Sequence, residues 1–450
     1  MQNLISLKKT GIALAVTQAL AINISSAATV TVNNAGDGPM GCSFREAVQS
    51  INRQNTPPGC TLNTTDDPIG TNDTVLFDSL ITEVSLEDQV SINRDMSINP
   101  GGHAVIVSGN NNTRILEIND ADVVIENMTV TNGSTNSDQV NGGGGIYVKS
   151  STVTLNNSTI TENSAATYDG PNGGGIFSQD SILTLNNSTI SKNSSFSDGG
   201  GIFVRSSTVT LNNSTISENS ATNTGEGSGG GIFSGFSITT IINSTISENY
   251  SSRRAGGIYS VNGTLTLNSS TIFGNYAASN LTSGGGIRTN NILNISNSII
   301  SGNSTALNSG NEISLSSSNT PVNTDINNLF GNSSQTSAEA FYQFPPSSTN
   351  IIATSDGNTP TPLVNILAPL AGNGGPTQTH ALVIDSPAID AVDNTLCAAA
   401  PINNLDQRGE SRPVGNACDI GSFEGLASTE PDTTFFVVPL PNGSTVIFGL

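Results

Sequence analysis

From Ser151 to Asn163 the chain reads STVTLNNSTITEN, and its apolar positions fall in two phases. Val153 and Leu155 alternate with polar residues, as in a half-buried strand, but Ile160 lies on the opposite parity. The chain must therefore turn a corner near Asn156 and Asn157, after which a second short strand carries Ile160 and ends at Asn163. A third strand begins at glycine-led stretches such as GGIYV, and no helical periodicity intervenes. The nine residues LNNSTITEN return as LNNSTISKN at Leu185–Asn193 and LNNSTISEN at Leu211–Asn219, while the segments between them drift.

The repeat is elastic in one place and rigid in another. The isoleucines that follow the glycine runs are Ile146, Ile176, Ile202, Ile232, Ile258 and Ile287, at intervals of 30, 26, 30, 26 and 29 residues. From each to the isoleucine of the next strand (Ile160, Ile190, Ile216, Ile246, Ile272) is 14 residues, and 13 to Ile300. A glycine-free copy keeps 14 from Leu116 to Val130. Three short strands in a copy of about 28 residues predict an all-β fold, one coil of a parallel β-helix per copy. Stacked at roughly 4.8 Å, each residue lies over its counterpart, so rigid positions form ladders and only the outward corner is free to vary. Two asparagine ladders are expected: Asn163, Asn193, Asn219, Asn249, Asn275, Asn303, and Asn157, Asn187, Asn213, Asn243, Ser269, Asn297. A leucine-rich repeat lacks its convex leucines here, and a left-handed β-helix lacks its six-residue period.

Gly174 to Ile176 with Ile190 to Asn193, a GGI and IxxN pair, is similar to the repeats of polymorphic outer-membrane proteins. GCSFREAVQSIN, Gly41 to Asn52, resembles the CSLREA motif. LAPLAGNGGPTQTHAL, DSPAIDA, DQRGESRP and CDIGSFE, between Leu367 and Glu424, resemble the choice-of-anchor Q domain. These resemblances imply an exported, surface-associated, right-handed parallel β-helix. The expected layout is a secretory signal (1–28), an N-terminal cap with the CSFREA motif (29–88), β-helix repeats (89–330), a choice-of-anchor Q-like region (331–425), and an acidic spacer with a terminal β-hairpin (426–450). In the cap, Phe44, Val48 and Ile51 share one side of a helix, and the region after about Phe330 is expected to close the far end.

Charge and composition narrow the setting. Of 450 residues, 35 are acidic and 14 basic, a net charge of −21, which excludes nucleic acid and anionic lipid as natural partners. Lys8 and Lys9, the apolar GIALAVTQALAINI and the small residues before Ala27 or Ala28 read as a removed secretory signal rather than a membrane anchor. No later segment is apolar enough to cross as a helix, so an extracellular or bacterial cell-surface location is expected. Cys42, Cys60, Cys397 and Cys418 most simply form two local disulfides, one of three pairings. The tail, TTFFVVPLPNGSTVIFGL, reads as a hairpin turning at PNG, without an LPxTG sorting signal and far short of a barrel.

Candidate chemistry is sparse. Lys149, Lys192, Arg205, Arg253, Arg254 and Arg288 are the few basic residues of the coils and form no evident column with carboxylates. Glu162, Lys192, Glu218 and Glu248 share a column that reads as a carboxylate pair or as a solvated charge ladder. His103 and His380 stand alone, and a structural hydrogen bond is expected of His380. Asp393, Asp406 and Glu410 suit calcium or turn stabilisation. No dedicated metal or cofactor motif appears. Tyr147, Phe177, Phe203, Phe233 and Tyr259, ended by Arg288, form an aromatic column, either an exposed stripe for stacking on sugars or a second core. The reading is a non-catalytic scaffold or adhesin for a polysaccharide or surface protein. The alternative is a carbohydrate-active enzyme, a pectate-lyase-like lyase or a hydrolase, and its mark would be carboxylates beside Arg or Lys on adjacent coils.

Overall fold

The computed structural model describes residues 28–38, 41–63, 73–135, 142–166, 172–279, 283–425, 436–439 and 445–448. The expected signal therefore lies outside the described residues up to position 27. The chain is a right-handed parallel β-helix. In one coil, Ile146–Lys149 lies in sheet C, Thr152–Asn156 in sheet A and Thr159–Thr161 in sheet B. A fourth ladder of two-residue strands, Ser164–Ala165 in this coil, follows the asparagine and was not expected. The sheets contain 12, 11 and 10 strands, and the small ladder seven. Pairing is in register from coil to coil, with Ile146 beside Ile176 and Leu155 beside Leu185. The lumen is filled by these aliphatic columns, fully buried from Leu155 to Ile295.

The corners explain the rigid spacing. Three positions per coil adopt a left-handed conformation, which turns an extended strand sharply within one residue. Between sheets C and A these are Ser150, Asp180, Ser206, Phe236 and Asn262, with φ of 49° to 56°. Between A and B they are Asn157, Asn187, Asn213, Asn243, Ser269 and Asn297. After sheet B they are Glu162, Lys192, Glu218 and Glu248, replaced in later coils by Gly274, Gly302 and Gly331. The two expected asparagine ladders thus differ in kind. Asn157 and its counterparts serve backbone geometry, because asparagine tolerates this region better than most residues; hydrogen-bonded side-chain amides mark only the other series.

That other series is a buried amide wire. Asn163 Nδ2 donates to Asn193 Oδ1 at 3.0 Å, and the link repeats from Asn193 to Asn219, Asn249, Asn275 and Asn303 at 2.9–3.0 Å. Each Oδ1 also accepts the preceding asparagine's backbone N–H at 3.0 Å. The Nδ2 of Asn193 reaches back to Ile160 O at 2.9 Å, so one amide satisfies groups on three coils. The adjoining glycines fit this wire: a Cβ on Gly175 would meet Asn193 Cγ at 2.9 Å, and one on Gly174 would meet Gly200 O at 2.3 Å. A parallel serine ladder runs beside it, Ser158 N–H donating to Ser188 Oγ at 3.1 Å and Ser188 N–H to Ser214 Oγ at 3.1 Å.

The wire ends on an acid. Asn303 Nδ2 donates to Glu312 Oε2 at 2.6 Å, and Gln335 Nε2 donates to Glu312 Oε1. Glu312 is fully buried, and that burial pushes its carboxyl up to about 8 in spite of these donors.

Both ends are closed. The helix Phe44–Arg53 begins in a capping box of Ser43 and Glu46, buries Phe44, Val48 and Ile51, and is tied down by Arg45 to Asp37, Asp88 O and Gln89 O. The Cys42–Cys60 disulfide lies at its start. At the far end Phe341–Tyr342 and Ile351–Ile352 complete the last ladders.

The rest of the C-terminal region does not stack on that end, as a simple cap would; it folds back along the outside of sheet B. Thr215 donates to Gln378 O at 2.6 Å, Thr245 to Gln407 Oε1 at 2.7 Å, and Ser422 Oγ to Thr271 Oγ1 at 3.0 Å. A second core forms there around Ile299, Leu329, Ile366, Val392 and Ile420, with Cys397 bonded to Cys418. Strands Phe436–Pro439 and Thr445–Phe448 pair antiparallel, as the PNG turn implies.

Two outcomes follow. Asn219→Ala strands the amide and N–H of Asn193 in the interior and should lower stability by about 3 kcal/mol, whereas Asn157→Gly should change it by less than about 1 kcal/mol; urea unfolding compares them. The unfolded Glu312 carboxyl ionises near its ordinary 4.5 and the folded one near 8. Its contribution is therefore complete below about pH 4.5 and is lost as pH rises to about 8. Thermal midpoints from pH 5 to 8 should fall less steeply in Glu312→Gln.

Candidate functional site

The elastic loops between the small ladder and sheet C run over the outer face of sheet C. That face carries the aromatic column. Tyr147, Phe177, Phe203 and Phe233 point away from the lumen and stack nearly parallel, with centroids 5.1, 5.2 and 4.8 Å apart, and Tyr259 meets Phe233 edge-on at 5.5 Å. Tyr147, Phe177 and Phe203 form a cluster of their own, separate from the lumen core. The column is thus neither an open stripe nor part of the lumen: Phe177 is fully buried, Phe203 nearly so, and Phe233 and Tyr259 are half-exposed. Guanidinium groups stand at both ends, Arg114 over Tyr147 at 4.9 Å and Arg254 over Tyr259 at 5.8 Å. Arg288, next in the column, donates to Ser314 Oγ at 2.9 Å, and burial lowers its pKa.

Where the column opens there is a cleft of about 510 Å3. Its aromatic side is Phe203, Phe233, Phe236 and Tyr259; Arg205, Arg253 and Arg254 bring positive charge, and Asp198 and Glu226 bring carboxylates. The expectation that the coil arginines meet no carboxylates is corrected here. The loops place Asp198 and Glu226 beside them on neighbouring coils. The missed signal lies in the direction of alignment. Counted back four residues from Ile176, Ile202, Ile232, Ile258 and Ile287, the loops give Asn172, Asp198, Ser228, Arg254 and Ser283 as one column, and Ser228 and Arg254 are bridged in parallel.

Asp198 is fixed by the Ser228 N–H, which donates to its Oδ1 at 2.9 Å. Burial, reinforced by the Glu226 carboxylate, pushes the Asp198 carboxyl up to about 7 against the opposing Ser228 hydrogen bond and Arg253 charge. Glu226 lies on an exposed loop, and Arg254 Nη1 donates to Tyr259 Oη at 3.2 Å. Phe236 is the anomaly. It occupies a left-handed corner with φ of 54° and leaves its ring 62% exposed, where equivalent corners hold Asp, Ser or Asn. Its ring also lines a second groove, over Ile182 and Ile238. Strain of this kind in a bulky residue gathers at functional surfaces.

The other candidates lie elsewhere. Glu162, Lys192, Glu218 and Glu248 are exposed corner residues, a solvated column rather than a carboxylate pair in a groove. Lys149 is exposed at a strand end. His103 Nε2 lies 3.1 Å from Ile81 O. His380 bridges Ala368 O and Ser247 Oγ at 2.7 and 2.8 Å, and burial lowers its pKa to about 4, so it is a neutral structural link between the C-terminal region and sheet B. Asp406 accepts from the Arg408 N–H and guanidinium and from the N–H groups of Glu410 and Glu424. Asp393 caps the short helix Asn394–Ala398, and Glu410 is exposed. These three are placed as turn residues, and among the described residues no three His, Cys, Asp or Glu side chains gather as a metal site.

Comparison with known proteins agrees with the architecture. Residues 90–263 match the family model of a right-handed β-helix region, a span that includes the whole cleft. No curated protein matches the chain. Among the described residues no helix is long and apolar enough to cross a membrane.

Replacing Phe236 by Asn should relieve the left-handed corner and raise stability by about 0.5–1 kcal/mol. Phe177→Ala should instead cost about 3–5 kcal/mol. Denaturant midpoints of the two variants check both signs.

Proposed function

We propose that the protein is an exported, surface-associated β-helix scaffold that recognises anionic glycans in the cleft on the outer face of sheet C. The carrying observation is the joining of half-exposed aromatic rings and three arginines in one groove, on a chain whose net charge is −21. Sugar rings stack on aromatic faces, and guanidinium groups pair with carboxylate or sulfate in a fork geometry. Against so acidic a background, three clustered arginines create a local field that draws an anionic chain to this face and away from the rest of the surface.

Export accords with the signal-like first 28 residues and with the Cys42–Cys60 and Cys397–Cys418 bonds, which belong in an oxidising compartment. The likeness of Gly41–Asn52 to the CSLREA motif and of Leu367–Glu424 to the choice-of-anchor Q domain supports a cell-surface, outer-membrane-linked setting, with the layout 1–28, 29–88, 89–330, 331–425 and 426–450. The terminal hairpin, Thr433 to Leu450, would serve docking or export recognition. A second reading, a glycan-cleaving enzyme, draws on one observation, the placing of Asp198 and Glu226 in the same cleft.

The protein from Ala28 onward should bind immobilised polygalacturonate or chondroitin sulfate, with affinity falling as salt rises, and should not bind neutral xyloglucan. Phe233→Ala and the double variant Arg205→Gln, Arg253→Gln should each weaken binding by about tenfold or more. Equal binding to the neutral chain, or unchanged binding by the arginine variant, would contradict the proposal.

A further inference from the structure

Glu226 and Asp198 lie on the loops of consecutive coils and face one cleft. Their surroundings differ. Asp198 is partly buried, its Oδ1 fixed by the Ser228 N–H, while Glu226 sits on an exposed loop framed by Gly225 and Gly227. Neither carboxylate forms one of the chain's ion pairs, which are Arg45–Asp37, Arg408–Asp406 and Arg412–Glu424 among the described residues. The rest of the cleft is built to hold a polymer. Phe233, Phe236 and Tyr259 offer ring faces on three successive strands of the coil stack, and Arg253 with Arg254 closes the neighbouring coil. Phe236 keeps its ring in solvent at a strained corner, which packing alone does not require.

Resting on the glycan-binding reading above, we infer that the cleft hydrolyses a glycosidic bond of the bound anionic polysaccharide, with Asp198 as general acid and Glu226 as the carboxylate on the water side. Asp198 donates its proton to the oxygen of the leaving sugar as the bond from that oxygen to the anomeric carbon breaks. Water attacks the same carbon, and Glu226 takes the proton that water loses. One bond is cut, one water is consumed and two shorter chains result; Asp198 regains its proton from solvent. The two environments suit the two roles, since the acid must hold a proton at neutral pH and the base must not. Burial and the facing Glu226 charge hold the Asp198 proton up to about pH 7, opposed by Ser228 and Arg253. Arg253 and Arg254 would hold the substrate's own anionic groups and so select a uronate or sulfated chain over a neutral one.

The test uses the protein from Ala28 onward with four probes, polygalacturonate, alginate, chondroitin sulfate and xyloglucan, following binding and new reducing ends in the same samples. The expected result is cleavage of at least one anionic probe. Asp198→Asn and Glu226→Gln should each lower its rate by about 100-fold or more while binding changes by less than about twofold. The rate should also fall as pH rises through about 7, the range in which Asp198 loses its proton. Polygalacturonate against chondroitin sulfate separates a carboxylate from a sulfate requirement. Binding of an anionic probe with no reducing ends from any of them would overturn the inference and leave the recognition reading standing. Cleavage undiminished in both variants, or unsaturated chain ends that mark elimination rather than hydrolysis, would overturn the assigned roles. Absence of binding to every probe would remove the recognition reading and this inference with it. Asn keeps an acceptor for the Ser228 N–H, so Asp198→Asn tests the proton and not the fold.

Discussion

In-register stacking is the constraint on which everything else depends. Once coils pair residue for residue, a side chain buried in one coil must be compatible with its own copy above and below. For Ile160, Ile190 and Ile216 this means an aliphatic column. For a polar group it means that the group must be both donor and acceptor along the axis, which a carboxamide is and a carboxylate is not. The asparagines meet that demand from Asn163 to Asn303, and the single acid, Glu312, appears where the wire has no further amide to continue it. The same rule governs the corners. A residue that turns the chain with positive φ in one coil needs a counterpart that does so in every coil.

The regularity of the frame gives the site its form. Because the left-handed corners hold the strands rigidly, the loops entering sheet C can vary without disturbing the stack, and chemistry collects in them. Asp198, Glu226, Arg253 and Arg254 all lie in such loops, while the strands beneath them supply a fixed aromatic floor. Rigid floor and variable wall together pre-organise a groove at little cost to stability, the arrangement expected of a scaffold that presents a binding surface. Phe236 is the exception on the frame itself, a corner where an exposed ring is kept at the expense of backbone comfort.

Much of this architecture was legible in the residues. The parity break between Leu155 and Ile160 marks a corner, the constant 14-residue spacing marks two rigid strands, and the glycine runs mark where backbones touch. Other features were hidden for physical reasons. Thr159 and Thr215 occupy the same repeat position, yet Thr215 is fully covered and Thr159 is not, because a segment more than 160 residues away lies on Thr215. Nothing in the local pattern encodes that. The two asparagine columns look alike in sequence, but one satisfies hydrogen bonds and the other satisfies φ. The cleft escaped notice because loops of unequal length were compared from the wrong end. The aromatic column was visible, but its burial depends on loops whose paths the pattern does not fix.

The central claim, that the groove over sheet C is where this scaffold meets its glycan, is most directly tested by hydrogen–deuterium exchange with and without polygalacturonate. The account expects slowed exchange in the loops around Asp198, Glu226 and Arg253 and in the strands carrying Phe233 and Tyr259, with sheet A and the C-terminal region unchanged. Protection centred on sheet A, on the C-terminal region or on the helix Phe44–Arg53, with the cleft loops unaffected, would contradict it.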